Sequence, residues 1–233
     1  MPGEGHTFLT REKGVTFLFM YTGDMPSPGA VKYYIEDGYY HVFNRGNNKQ
    51  LVFLDDQDYQ VFLGYFWELI RCPYPELPNT RQDIIPLTYC LMGTHLHFQF
   101  KQITVDGITN LMKRLTIKYV RYFNQRHKRF GRLFQSAFKA KHITDETYLL
   151  YLSRYIHLNP AEIWKQPLYN YPYSSYGQYL NQAKHKNNLL NTEEILSFFK
   201  SAQNLSLKDQ SSYQHFVESY QENSEIILEK TLN

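Results

Sequence analysis

Hydrophobic and polar residues recur along the middle of the chain with two different periods. Alternate apolar positions, as in residues 39–45, predict half-buried strands, whereas apolar positions three and four apart, as in residues 55–71, predict amphipathic helices. In chain order these patterns predict strand 39–45, helix 55–71, strand 84–91, strand 95–101, helix 108–126, strand 133–143 and helix 145–159. This order contains no series of parallel βαβ repeats. It predicts an α+β fold, a ferredoxin-like sandwich with a central antiparallel β-sheet and helices packed on it.

The segments on either side of this pattern are predicted to be an arm and a tail. Residues 1–32 mix Gly, Pro and polar residues and predict an N-terminal arm, which leaves residues 33–180 as the patterned domain. Residues 181–233 predict a C-terminal helical tail, with Asn191 capping one helix and a second helix around residues 213–220. Inside the domain, residues 73–86 contain four prolines and predict a loop.

Composition adds little until the charge is located along the chain. The apolar content of 42% is enough for a packed core, and the net charge of +3 names no partner. Residues 111–141, however, carry ten Lys or Arg and no acidic residue, with six aromatic residues between them. Basic charge interleaved with aromatic rings favours a surface for single-stranded nucleic acid. The alternative is a solvated helix face above core aromatic residues.

Cysteine content and hydropathy exclude several other classes of protein. Cys72 and Cys90 are too few for a disulfide framework or a thiolate zinc site, which favours a reducing cytosol. No apolar stretch approaches the ~18 residues needed to span a bilayer. We therefore expect a cytoplasmic protein without a membrane partner, and a basic segment that binds DNA would make it nucleoid-associated.

The candidate chemistry begins with His95 and His97, which lie in the apolar run of residues 87–100. Successive side chains of a strand point to opposite faces, so the two imidazoles project from the same face. Two neutral imidazoles at that separation can bind one divalent metal ion. The alternative is that both histidines only satisfy hydrogen bonds in the core.

A tyrosine and an amide at the end of the last predicted helix complete this candidate site. Tyr155 lies one turn from Asn159, about 6 Å along the helix axis and about 40° around it. Tyr148 lies roughly 16 Å along the axis from Asn159, and Tyr151 lies about 80° off that face. Of these three tyrosines, only Tyr155 can share a small site with Asn159. His157 points elsewhere and is expected to be structural.

Four motifs carry a resemblance to a known family. In order they are Tyr40-His41-Val42-Phe43-Asn44-Arg45-Gly46, Met92-x-x-His95-Leu96-His97, Arg154-Tyr155-Ile156-His157-Leu158-Asn159-Pro160 and Tyr171-Pro172-Tyr173-Ser174-Ser175-Tyr176. Together they resemble the REP-associated tyrosine transposases, which belong to the single-tyrosine His-hydrophobic-His (HUH) nucleases. The resemblance covers about residues 33–180. Many members have Pro-Asn where this chain has Gly93-Thr94, a change in a turn that leaves the histidines in place.

The resemblance implies a fold and an activity. It implies a ferredoxin-like core in which His95, His97 and Asn159 bind Mg²⁺ or Mn²⁺ and Tyr155 attacks DNA. The implied protein is a metal-dependent single-stranded DNA endonuclease and strand transferase, a transposase that forms a 5′-phosphotyrosine link on palindromic, hairpin-forming DNA. It would be a monomer or homodimer.

The sequence leaves open the role of four basic residues and two alternative functions. Candidate contacts with DNA phosphates are Arg45, Lys113, Arg114 and Lys118, although an ordinary solvated role is equally open for each. One alternative function is a rolling-circle initiator or relaxase, another enzyme of the HUH superfamily. The other is a catalytically silent DNA- or RNA-binding protein with the same fold.

Overall fold

The structure is a computed structural model that describes residues 7–12, 15–20, 34–72, 83–183, 187–201 and 210–219. The chain divides into two compact units, one formed by residues 1–33 with 219–233 and the other by Tyr34–Glu218. In the first unit, strands β1 (Thr7–Glu12) and β2 (Val15–Met20) pair as an antiparallel hairpin within the segment predicted to be an arm. The predicted arm boundary at residues 32–33, and residues 73–82 of the predicted loop, lie outside the described residues.

The second unit contains the predicted series of strands and helices. They are β3 (Tyr39–Arg45), α1 (Asp56–Arg71), β4 (Ile84–Met92), β5 (His95–Gln102), α2 (Gly107–Arg126), β6 (Lys139–Ile143) and α3 (Glu146–Leu158). The four strands form one sheet in the order β4-β5-β3-β6, and every neighbouring pair is antiparallel. The structure therefore confirms the predicted α+β sandwich built on a central antiparallel sheet.

The strand predicted over residues 133–143 is wrong in its first half. Regular pairing with β3 begins only at Lys139. Before that point, the side-chain amide of Asn44 donates hydrogen bonds to the backbone carbonyls of Ser136 and Ala137, at 3.1 and 2.8 Å. A side chain thus takes carbonyl oxygens that a strand would offer to its neighbour, so the alternating sequence does not become a regular strand there.

The two faces of the sheet are covered by different helices. On β5, Phe98 and Phe100 point toward α1, where the ring of Phe66 lies 4.8 Å from that of Phe98 and 6.0 Å from that of Phe100. Gln99 points the opposite way, and its amide donates to the backbone carbonyl of Leu149 in α3 at 2.7 Å. We call these the α1/α2 face and the α3 face.

Three shorter helices follow and pack on the same unit. They are α4 (Tyr176–Tyr179), α5 (Glu193–Ser201) and α6 (Gln210–Glu218). As predicted, the Asn191 side chain caps α5 by accepting a hydrogen bond from the Glu194 backbone at 3.3 Å. Helix α6 is joined to α3 by the Tyr213 hydroxyl, which donates to the Ser153 hydroxyl at 3.1 Å. Within the described part of the chain, no helix combines the length and apolarity that crossing a membrane requires.

A buried carboxylate joins the start of α1 to the end of α2. Asp58 has no exposed surface, and it accepts hydrogen bonds from the Leu54 backbone at 2.9 Å, the Tyr122 hydroxyl at 3.1 Å and the Arg126 guanidinium at 2.6 Å. His127 Nε2 lies 3.0 Å from the carboxylate. Burial alone raises the pKa of Asp58, but these hydrogen bonds outweigh it and hold the pKa below its usual value.

We expect Asp58→Asn to lower the free energy of unfolding by about 3 kcal/mol at pH 7, because it replaces a fully buried, charged acceptor by a neutral amide whose NH2 group faces donors, while Arg126 keeps only its ion pair with Asp55. The folded pKa of Asp58 lies below the unfolded value of about 3.9. Its contribution is therefore present above that pH and is lost as the pH falls through the folded pKa. Urea unfolding at neutral and acidic pH measures both effects. Asp106→Asn is the control, because Asp106 is exposed and makes no capping bond. Equal effects of the two variants at pH 7 would contradict this account.

Candidate active site

His95 and His97 lie at the start of β5, directly after the Gly93-Thr94 turn that joins it to β4. Their ring centroids are 5.2 Å apart, and both project from the α3 face. His97 is 8% exposed, whereas His95 is half-buried. The alternation of the strand therefore places the two rings side by side, as the sequence predicts.

In both histidines the Nδ1 atom already has a polar neighbour. Thr94 Oγ1 lies 2.9 Å from His95 Nδ1, and His41 Nε2 lies 2.9 Å from His97 Nδ1. Contacts of this kind fix the orientation and tautomer of an imidazole and leave Nε2 as the nitrogen for a ligand. His95 Nε2 in turn lies 3.3 Å from the side-chain oxygen of Asn159.

Burial keeps the inner imidazoles neutral. Burial, with a smaller contribution from the positive charge of Lys141, lowers the pKa of His41 to about 3. Burial also lowers the pKa of His97 well below its usual value, and His41, His95 and Arg45 add to that effect. The neutral form is the one that binds a metal ion, because no proton has to leave first.

Tyr155 and Asn159 approach the histidines from the end of α3. Asn159 follows the last residue of the helix, and its amide nitrogen donates to the Tyr155 backbone carbonyl at 2.8 Å. The Tyr155 ring meets that of His97 edge to face, with centroids 5.4 Å apart. The structure thus brings together the four residues selected from the sequence, His95, His97, Tyr155 and Asn159. Their chemical roles are still a prediction.

Two neighbours of Tyr155 on α3 have other contacts. The ring of Tyr151 packs against that of Phe216 in α6, with centroids 5.3 Å apart. His157 is fully buried, with Nδ1 2.8 Å from the Tyr213 hydroxyl and Nε2 2.8 Å from the Ser175 hydroxyl. Both of its nitrogens are used within the fold, which agrees with the structural role expected for His157.

The residues that could hold a metal ion are His95, His97 and Asn159. Two imidazole nitrogens favour a first-row transition ion over Mg²⁺, which takes oxygen ligands. The amide oxygen supplies a third donor of a kind that Mn²⁺ accepts. Among the described residues, no cluster of three or more His, Cys, Asp or Glu side chains is arranged to bind a metal. A site here therefore depends on the amide.

Cations also line the α3 face beside the histidines. Arg45 stands opposite His95 in the β3–β5 pairing, so both side chains lie on this face. Lys141 stands opposite His41 in the β3–β6 pairing, and Lys139 lies two residues earlier on the same face. Of these residues, only Arg45 was predicted from the sequence to contact DNA, and His41, Lys139 and Lys141 were not predicted to belong to the site. Strand alternation predicts which residues of one strand share a face, but it does not predict which strands are neighbours in the sheet.

The other predicted DNA contacts are not brought to this site. Lys113, Arg114 and Lys118 belong to α2, which covers the α1/α2 face. The Lys118 ammonium forms an ion pair with Glu68 of α1 at 2.8 Å and lies 4.6 Å from the centre of the Tyr65 ring. The sheet therefore separates these three cations from the histidines.

Comparison with known proteins assigns no family. Neither a protein-family model nor a curated protein matches the chain. One solved structure, described as a REP-associated tyrosine transposase bound to a REP hairpin, is similar over 67% of this chain and 87% of its own, with 15% identity and a TM-score of 0.49.

The buried histidines predict acid sensitivity of the metal-free protein. His41 and His157 each have a folded pKa of about 3, caused mainly by burial. The unfolded value is about 6.5, so the unfolded chain binds more protons below that pH and stability falls as the pH falls. We expect each histidine to lower the free energy of unfolding by about 2 kcal/mol as the pH falls from 7 to 5.

Urea unfolding of the wild type and of His157→Gln at both pH values measures this effect. The variant should lose less stability between pH 7 and pH 5 than the wild type does, by about 2 kcal/mol. His142→Gln is the matched control, because His142 is exposed and its removal should leave the dependence unchanged. A wild-type stability that is equal at the two pH values would overturn the prediction.

Proposed function

We propose that this protein is a metal-dependent single-stranded DNA endonuclease and strand transferase, and that Tyr155 is its nucleophile. The proposal is supported by the meeting of a tyrosine ring, two imidazoles and an amide oxygen on one face of the sheet. Within that group the Tyr155 and His97 rings are 5.4 Å apart, and His95 Nε2 is 3.3 Å from the Asn159 oxygen.

In the proposed reaction the Tyr155 oxygen attacks a DNA phosphorus. A bond forms between that oxygen and phosphorus while the bond to the 3′-oxygen of the preceding nucleotide breaks. The phenol gives up its proton and the departing 3′-oxygen gains one, with solvent as the carrier, so no net proton is consumed. The 5′-phosphotyrosine link keeps the bond energy, which allows a second 3′-hydroxyl to displace the tyrosine and complete strand transfer.

His95, His97 and Asn159 would hold the Mn²⁺ or Mg²⁺ ion that this reaction needs. An ion bound there would polarise a non-bridging phosphate oxygen and offset the charge that develops in the transition state. Thr94 and His41 would keep the two imidazoles in the orientation that presents Nε2.

Cations on the α3 face would receive the DNA strand. Arg45, Lys139 and Lys141 share that face with the histidines, and contacts with phosphates would position the strand without reading its sequence. The resemblance to the REP-associated tyrosine transposases implies palindromic, hairpin-forming DNA as the substrate, and we propose that a monomer or homodimer acts on it. A silent nucleic-acid-binding protein, and a rolling-circle initiator or relaxase, are the alternatives to the proposed transferase.

The metal site is tested by calorimetric titration of Mn²⁺ into the wild type and His97→Ala. We expect the variant to lose most of the binding, because it removes one of three proposed ligands. His142→Ala should bind Mn²⁺ as the wild type does, since His142 lies on the other face of β6 from Lys141. Equal affinity in the wild type and His97→Ala would remove the metal from the proposal.

The nucleophile is tested with Tyr155→Phe, a labelled hairpin oligonucleotide and Mn²⁺. The variant keeps the ring and loses one oxygen, so the melting temperature should change little. Cleavage and the covalent protein–DNA band on a denaturing gel should disappear. Tyr151→Phe is the matched control and should keep the band, since that ring packs on α6.

Two results would contradict the assignment. A covalent band with Tyr155→Phe would show that another group attacks the DNA. A wild type that binds the hairpin without cleaving it would favour the silent-binder alternative.

A further inference from the structure

One aromatic side chain in the basic segment of residues 111–141 has no place in the core. The other five are used by the fold: Tyr119, Phe123, Phe134 and Phe138 are buried, and the Tyr122 hydroxyl donates to Asp58. Phe130 is 93% exposed, while the next most exposed large hydrophobic residue among the described residues, Ile117, reaches 59%. The structure thus separates Phe130 from the core aromatic residues of this segment.

Phe130 lies in the loop between α2 and β6, and its neighbours fix that loop. The Arg129 backbone donates to the Asn124 carbonyl at 3.0 Å, and the Asn124 side-chain amide donates to the Gly131 carbonyl at 3.1 Å. The Arg129 guanidinium donates to Gln50 Oε1 at 2.9 Å. Gly131 has a φ of +87°, a backbone conformation that suits glycine. A phenyl ring is therefore presented to solvent from an anchored turn.

The charge around Phe130 indicates the kind of partner. Lys128 and Arg132 are both exposed, Arg129 lies between them, and no acidic residue occurs from 111 to 141. An aromatic face with cations on both sides matches an unpaired base flanked by phosphates. An apolar protein surface would have no need for the cations.

The loop also lies at the same end of the sheet as the candidate site. The Asn47 backbone donates to the Leu133 carbonyl at 2.8 Å, which joins the loop to the segment after β3. In that segment the Gly46 backbone donates to the Thr94 carbonyl at 2.8 Å, in the turn directly before His95. A single strand of DNA that crosses the α3 face past His95 would leave the sheet at this end.

We propose that Phe130 stacks on an unpaired base of single-stranded DNA while Lys128 and Arg132 contact the flanking phosphates. The contact holds the strand at the end of the sheet that carries His95, and it accepts any base, because every base offers a flat face. The inference takes its substrate class from the proposed function and requires neither the metal nor Tyr155.

The test measures binding of a fluorescein-labelled single-stranded 15-nucleotide DNA by anisotropy in EDTA, so that no cleavage can occur. We expect Phe130→Ala to raise Kd about 5- to 140-fold, whereas Phe130→Trp keeps the affinity. Phe130→Leu should bind as weakly as Phe130→Ala, because it keeps an apolar side chain but has no aromatic face. Ile117→Ala is the control for an exposed apolar residue and should leave Kd unchanged.

Charge and stacking are separated by the salt dependence of Kd. Phe130→Ala should keep the wild-type slope of log Kd against log salt, since it removes no charge. The double variant Lys128→Ala, Arg132→Ala should lower that slope by about 1.4, the value for two phosphate contacts on a single strand.

Four results would overturn the stacking contact. They are a wild type that does not bind the DNA, a Phe130→Ala variant within twofold of the wild type, wild-type affinity in Phe130→Leu, and conversion of a self-associated wild type to monomer by Phe130→Ala in gel filtration. The last two would instead indicate an apolar or a self-association contact.

The outcome is distinct from that of the cleavage experiment. If the wild type forms no covalent band but its binding depends on Phe130, the proposed function fails and stacking stands. If the band forms and Phe130→Ala binds and reacts like the wild type, stacking alone fails.

Discussion

The pairing of β3 with β5 at the centre of the sheet is the constraint on which the candidate site depends. Its register sets Arg45 opposite His95 and Phe43 opposite His97, so His41 reaches the Nδ1 atom of His97 from the neighbouring strand. A slip of one residue would turn the side chains of one strand to the other face. The hydrophobic residues on the α1/α2 face oppose such a slip, because their burial also requires the observed register. Core packing on one face thus fixes the polar geometry on the other.

Local patterns were enough to predict most elements and the central residues of the site. Alternation placed His95 and His97 on one face, and helical spacing placed Tyr155 one turn from Asn159. These are properties of a single strand and a single helix, so the sequence carries them directly. The capping role of Asn191 is local in the same sense.

The features that were missed depend on contacts between distant segments. His41 and Lys141 join the site only through strand register, which no pattern within one strand determines. The predicted strand over residues 133–143 starts late because Asn44, almost a hundred residues earlier, takes two of its carbonyls. The basic residues of 111–141 were predicted to form one surface for nucleic acid. In the structure, Lys118 and Arg126 instead form ion pairs with acidic residues of α1 and of its N-cap. Which cations have acidic partners is decided by the packing of α1 on α2.

Both polar atoms of the Asn159 side chain have a neighbour in the candidate site. Its nitrogen is bound to the carbonyl of Tyr155, and its oxygen lies next to His95. The tyrosine and the amide therefore belong to a single rigid turn, and a small tilt of α3 carries them together. When α3 moves as a whole, Tyr155 and Asn159 are displaced together, so the distance between these two residues stays the same. Such motion would change mainly the distance of this pair from His95 and His97 on β5.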